Sequence, residues 1–312
     1  MALKLNKKIL LLRSNSIKVI DKNFDANKPL SQYSKNFFKY KYNDKKSIKI
    51  IDKYVKTRIL GKFFGAGSVR SRDSKLAYAN KKINTKNKLI DFLKIKKKYK
   101  KICLLAPNAF GDMNTNENKT IFSSYFEFFK KTIDALALSS NNYLWLVRPH
   151  PAAKKWGEIG VIEKYINKFK SKNIKIVPAN LISTKAILEL VDTVVSVNGT
   201  IAIELAALGK RPIIAANCFY SKLGFVYESK NKKDYLSIIN NLKKLKKLKK
   251  NEILIAKKIL YWDQIGWEFS EYNPIFYSTA RLNNCIKKIL MMNKKEITEV
   301  EKSYKQLIKK YI

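Results

Sequence analysis

The only histidine of the chain, His150, stands in the stretch Arg148-Pro-His-Pro151, directly after the apolar run Tyr143–Val147. Prolines on both sides restrict the backbone, which fixes where the imidazole points. A histidine held in this way can donate to a phosphate oxygen, and Arg148 can add a charge-assisted contact. The alternative is a structural ring satisfied by a neighbouring carbonyl.

Two further stretches have side chains of comparable potential. In residues 106–114, APNAFGDMN, a strand runs into Pro107, and Asp112 follows in a loop that Gly111 loosens. Such an aspartate can act as general base or nucleophile at a sugar or phosphate centre, or it can cap a helix or hold a turn. In residues 194–214, a buried strand gives way to Asn198-Gly199, a turn that permits close backbone approach, and Thr200 then opens a helix. Free amides and the dipole make such a helix start an anion site. Glu204 falls one turn later on the same face, from where a carboxylate suits paired sugar hydroxyls. The plainer reading is an ordinary strand-helix-strand unit with Glu204 at its surface.

These residues need elements to position them. Short β-branched runs at 102–106, 143–147, 174–177, 193–197 and 212–215 alternate with amphipathic stretches at 122–138, 161–170, 183–190 and 201–208. That alternation predicts an α/β fold with a five-strand, doubly wound parallel sheet of Rossmann type, in which ligands bind beyond the carboxyl ends of the strands. All three stretches lie at such ends.

Upstream, the pattern predicts a strand at 9–12, a helix over 46–62 with Ile48, Ile51, Tyr54, Val55 and Ile59 on one face, a Gly65-Ala-Gly67 turn, and a helix over 86–98. This is less than a second complete domain. The expected division is a reduced N-terminal region over 1–100, a nucleotide-binding domain over 101–235 and C-terminal helices over 236–312. Within the last, 235–250 ends in LKKLKKLKK, and helices are expected at 252–263 and 280–292. Leucines every three residues among lysines fit either a membrane-surface helix or a helix packed on the domain with its lysines outward.

Lys and Arg number 65 against 24 Asp and Glu, a formal net charge of +41, which points to anionic partners or else to compositional bias, because the lysines are spread along the whole chain. No arginine-rich arm, zinc finger or aromatic RNA-binding motif is present, and lysine far exceeds arginine, so nucleic acid is not an expected partner. Cys103, Cys218 and Cys285 have no metal-ligand spacing and read as reduced thiols. No run approaches the roughly 20 apolar residues of a membrane-spanning helix, and a cytoplasmic chain, peripheral at the inner face of the membrane, is expected.

The FxD loop Phe110-Gly-Asp112, the aromatic stretch IFSSYFEFF, RPHP, and SVNGTIAIELAALGKRPIIA, taken in that order over about 101–235, resemble the capsule polysaccharide biosynthesis glycosyltransferases, among them the Kdo transferases. The resemblance implies a GT-B-like architecture of two Rossmann-like domains, with residues 1–100 as the acceptor-side region. It implies that His150 contacts the donor phosphate, that Ser196, Gly199 and Thr200 line the phosphate and nucleotide site, that Glu204 binds the ribose, and that Asp112 is the catalytic carboxylate. No cofactor or metal is implied, the nucleotide-sugar being substrate. The function so implied is transfer of a sugar from a nucleotide-sugar donor, of the CMP-Kdo kind, to a capsular or other surface polysaccharide or a lipid-linked acceptor. The alternatives are a nucleotide-sugar epimerase or a glycerophosphotransferase of the same fold, and a basic nucleic-acid-binding protein.

Overall fold

The run Tyr143–Val147 is buried at every position, as a strand covered on both faces must be. In the computed structural model of the chain, its odd-numbered side chains join one apolar layer and Leu144 and Leu146 the other. The residues described are 9–13, 16–20, 42–61, 81–111, 119–139 and 142–264. Asp112, the Gly65-Ala-Gly67 turn, Cys285 and the helix expected at 280–292 lie outside them.

The chain divides into two compact units. One, Met1–Ala26 with Gly266–Ile312, contains the antiparallel hairpin of β1 (Ile9–Arg13) and β2 (Ser16–Ile20), in which Ile9 faces Ile20 and Arg13 faces Ser16. The other, Asn27–Ile265, contains the remaining elements described.

Its sheet is built from β3 (Lys101–Leu105), β5 (Tyr143–Val147), β6 (Ile174–Ile176), β7 (Thr193–Ser196), β8 (Ile213–Ile214) and β10 (Tyr227–Glu228). The strands lie side by side in the order β6-β5-β3-β7-β8-β10, every pair parallel. Counted along the chain, this is the order 3-2-1-4-5-6 of a Rossmann sheet, and the strand order reverses between β3 and β7. The sheet has six strands where five were expected. The extra one, Tyr227–Glu228, is two residues long, too short to show any periodicity. A separate pair joins β4 (Lys119–Thr120) to β9 (Ala216–Asn217), antiparallel.

Helices cover both faces. One layer contains α1 (Lys45–Ile59), α2 (Lys86–Phe92), α5 (Thr184–Leu190), α6 (Ile201–Ala207) and α8 (Lys250–Gln264). The other contains α3 (Tyr125–Ala137), α4 (Val161–Asn167) and α7 (Lys232–Asn240). The helices begin where polar side chains accept free amides: Ser124 Oγ from Glu127 at 3.0 Å, Ser183 Oγ from Ala186 at 3.2 Å, and Asn231 Oδ1 from Asp234 at 2.9 Å. The helix expected over 86–98 stops at Phe92, because Lys94 turns left-handed at φ 49°.

The segment expected as one helix over 235–250 is not one. α7 ends at Asn240, Leu242–Lys244 form a single 3-10 turn, and α8 begins only at Lys250. Three residues per turn bring i and i+3 to the same side, so a three-residue leucine repeat suits this tighter winding. Leu242 and Leu245 pack into the layer of α3, and Leu248 into that of α6, while the intervening lysines are exposed. Arg211 holds this strap, donating from Nε to the Lys246 carbonyl at 2.8 Å and from Nη2 to Glu252 Oε2 at 2.8 Å. The continuous apolar stripe of a membrane-surface helix is therefore not formed here. Among the described residues, no helix is long and apolar enough to cross a membrane.

Candidate functional site

A cavity of about 140 Å³ opens at the carboxyl ends of β3 and β7, where the strand order reverses. That is where an open α/β sheet leaves a crevice for ligand. Its walls come from Ala106, Pro107 and Asn108 after β3, from Arg148–Pro151 after β5, from Thr184 at the start of α5, and from Ser196, Gly199, Thr200, Ile201 and Glu204 around the start of α6. Residues some fifty apart in sequence converge because parallel strands place all their carboxyl ends on one edge.

His150 is half-buried on this wall, and its Nδ1 accepts from the Ala152 amide at 3.1 Å. An acceptor nitrogen carries no proton, so the neutral ring carries its proton on Nε2. The prolines fix the loop, and the amide fixes the tautomer. Arg148, also on the wall, is 4% exposed. Its Nη1 donates to Thr184 Oγ1 at 2.8 Å and its Nη2 to the Ile182 carbonyl at 3.0 Å, so two arms of the guanidinium tie the RPHP loop to the start of α5. Lys81 stands near enough to Arg148 for that charge to add to burial, the larger cause, in lowering the lysine's pKa.

At the start of α6 the Gly199 amide donates to Ser196 Oγ at 3.3 Å. A Cβ on Gly199 would lie 2.9 Å from that same oxygen, so the residue is glycine for want of room. Its carbonyl accepts from the buried Tyr220 hydroxyl at 3.0 Å. Burial, then the adjacent Cys218 thiol, raises the Tyr220 pKa well above its ordinary range, which keeps the donor proton in place. Thr200 makes no side-chain capping bond, and among the described residues the Thr200 and Ile201 amides donate to no protein acceptor. Thr200 and Ile201 line the cavity, and amides left open at a helix start suit an anion.

Asn198, expected to bind ligand, is not part of the cavity wall. Its Oδ1 accepts from Asn108 at 2.7 Å and its Nδ2 donates to the Tyr125 hydroxyl at 3.2 Å, which joins three loops. Asn108 Oδ1 is buried without a protein partner, and a buried acceptor of that kind is satisfied when a ligand donor reaches it. The loop leading to Asp112 is held at Gly111, whose amide donates to Glu158 Oε1 at 2.7 Å.

Glu204 is not a surface residue: it is 3% exposed. Arg58 of α1, 1% exposed, donates from Nε to Glu204 Oε1 at 2.9 Å and places Nη2 at 2.7 Å from the same oxygen. The structure thus brings His150, Arg148, Ser196, Gly199, Thr200 and Glu204 to one cavity, adds Asn108 and Thr184 to its wall, and sets Arg58 against Glu204, Tyr125 against Asn198 and Tyr220 against Gly199. Of these, Arg58 had a signal in the sequence. It falls in phase with Ile51, Tyr54 and Val55 on the buried face of its helix, where an aliphatic side chain is the ordinary occupant.

No family model matches the chain, and no curated protein matches its sequence. Solved structures are similar to part of the chain. The β-Kdo 2,4-transferase KpsC of Thermosulfurimonas dismutans is 15% identical at a TM-score of 0.43, over 72% of this chain and 58% of that one. The wall teichoic acid polymerase TagF is 12% identical at 0.35, over 64% and 48%, and Anabaena Alr3699/HepE, solved with UDP and glucose, is 12% identical at 0.36, over 63% and 52%. The chain spans about half the length of these structures. Likeness at this level assigns neither family nor activity to the chain.

Proposed function

We propose that the chain is a glycosyltransferase that moves a sugar from a nucleotide-sugar donor to a surface-polysaccharide or lipid-linked acceptor. One observation carries the reading: a single cavity at the reversal of strand order gathers an imidazole with a fixed tautomer, two helix-start amides with the Thr200 hydroxyl, and a buried carboxylate. Imidazole and amides suit a phosphate; the carboxylate suits a ribose diol. Loss of a nucleoside diphosphate leaves charge on that phosphate, and fixed donors stabilise such charge as it develops. Asp112, which follows Gly111 in the sequence, is proposed to take the proton of the acceptor hydroxyl. The net charge of +41 supports a place beside anionic lipid, where a lipid-linked acceptor would lie.

The test is a titration of CMP, CDP, UDP and GDP followed by thermal shift, because a ligand that binds only the native state raises the melting temperature. At least one should bind, and His150→Ala should weaken it about tenfold to hundredfold, the value of a hydrogen bond to a charged group. Wild-type affinity in the variant refutes the role of His150. Asp112→Asn should keep nucleotide affinity and lose transfer. A product that is only the interconverted donor, formed without acceptor, would instead make the protein an epimerase.

A further inference from the structure

Arg58 is an expensive residue where it stands. The face it shares with Ile51, Tyr54, Val55 and Ile59 is packed into the layer that covers the sheet, and the guanidinium is 1% exposed. A cation taken out of water is tolerated only against a well-placed partner. That partner, Glu204, lies 146 residues further along the chain, on a helix whose start lines the cavity. The pairing is not the fork-to-fork arrangement in which each carboxylate oxygen takes one nitrogen. Nε at 2.9 Å and Nη2 at 2.7 Å converge on Oε1, while Nη1 lies 3.5 Å from the Tyr54 hydroxyl. The guanidinium thereby ties its own helix to the Glu204 carboxylate. Glu204 also forms part of the cavity wall beside Thr200 and Ile201.

We propose that Arg58 is a positioning residue which sets the Glu204 carboxylate to receive the hydroxyls of a ribose, so that helix α1 takes part in discriminating ribonucleotides from deoxyribonucleotides. This rests on the nucleotide-binding reading above. A pair that only held the fold would influence melting temperature and the affinities for both ligand types alike. A positioning pair influences their ratio, because the 2′-hydroxyl is the group that the carboxylate would meet.

The experiment measures the affinity of the full chain for UDP, CDP and GDP, each against its 2′-deoxy counterpart, by calorimetry. The wild type should prefer the ribonucleotide about tenfold or more, the value of one hydrogen bond to a carboxylate. Glu204→Gln, which keeps an acceptor but no charge, should lower the preference several-fold. Arg58→Lys keeps the charge and hence the fold, but presents one point in place of a planar fork. It should bring the preference close to one while deoxynucleotide affinity stays within about twofold. Arg58→Met leaves a buried carboxylate uncompensated, so it is measured together with the double variant Arg58→Met, Glu204→Leu, in which both charges are gone and folding is restored. A wild type that binds nucleotide with no ribose preference overturns the inference and spares the nucleotide reading. So does an Arg58→Lys chain that discriminates as well as the wild type. Failure of every nucleotide to bind overturns both.

Discussion

Gly199→Ala is the perturbation whose effect can be worked most closely from the geometry. Gly199 is not among the residues at positive φ, so alanine meets no backbone strain and would by itself gain about 0.4–1 kcal/mol by restricting the unfolded chain. The new methyl, however, would lie 2.9 Å from Ser196 Oγ, 3.6 Å from Ile201 Cγ2 and 3.8 Å from Ser196 Cβ. Only the first contact is impossible. Ser196 is 1% exposed at the end of a central strand, so its hydroxyl must rotate and release the Gly199 amide. That costs about 1 kcal/mol for the hydrogen bond and about 1–3 kcal/mol for crowding. The net destabilisation is about 2 kcal/mol, a fall of about 4–8 °C in melting temperature for a unit of this size. The decisive step is to repeat the substitution in a Ser196→Ala background. There the obstructing oxygen is absent, the nearest serine atom was already at an ordinary 3.8 Å, and alanine at 199 should cost nothing. A double-mutant cycle by urea denaturation should therefore return a coupling of about 2 kcal/mol. Equal destabilisation in both backgrounds would refute the claim that the oxygen dictates the glycine.

Two further outcomes test the outer parts of the fold. Hydrogen bonds from Lys232 and Ser123 hold the Glu127 carboxyl at about 2, below the 4.5 of a free side chain. A carboxyl lowered on folding stabilises above its unfolded value and loses that contribution as pH falls through the folded one, so the gap in urea midpoint between wild type and Glu127→Gln should be steady above pH 4.5 and close toward pH 2. The pair is partly exposed, so the gap at neutral pH should not exceed about 1 kcal/mol. In the strap, Leu242→Ala should cost about 2–4 kcal/mol because the side chain is 2% exposed, whereas Lys243→Ala should stay within about 0.5 kcal/mol. Similar small effects at both positions would mean that the strap is not packed.

The sheet was legible because its strands are buried on both faces and so read as unbroken apolar runs. Tyr143–Val147 matches its expected bounds for this reason. Loops at strand ends followed directly, and His150, Thr200 and Glu204 do meet at one cavity. What escaped the sequence did so for identifiable causes. Glu204 reads as a surface carboxylate until its partner is known, and the partner is 146 residues away. Arg58 was in phase with an apolar stripe, yet a long cation there more often extends to water than pairs inside. Asn198 has the type and place of a ligand-binding residue, and only the positions of Asn108 and Tyr125 reveal that both ends of its amide are engaged. The leucine repeat at 242–248 misled because a spacing of three is common to an α-helical face and a 3-10 turn, and two asparagines before it break the longer helix.

The strap sets its own rule for change. Leu242 and Leu245 enter one layer and Leu248 the other, with two exposed lysines between each leucine and the next. Which basic or polar residue fills an intervening position matters little, but how many there are matters a great deal. Adding or removing a single residue would carry a lysine into an apolar layer and draw a leucine out. A stretch that looks like low-complexity filler is thus free in composition and strict in count: it should tolerate almost any surface substitution and reject almost any insertion.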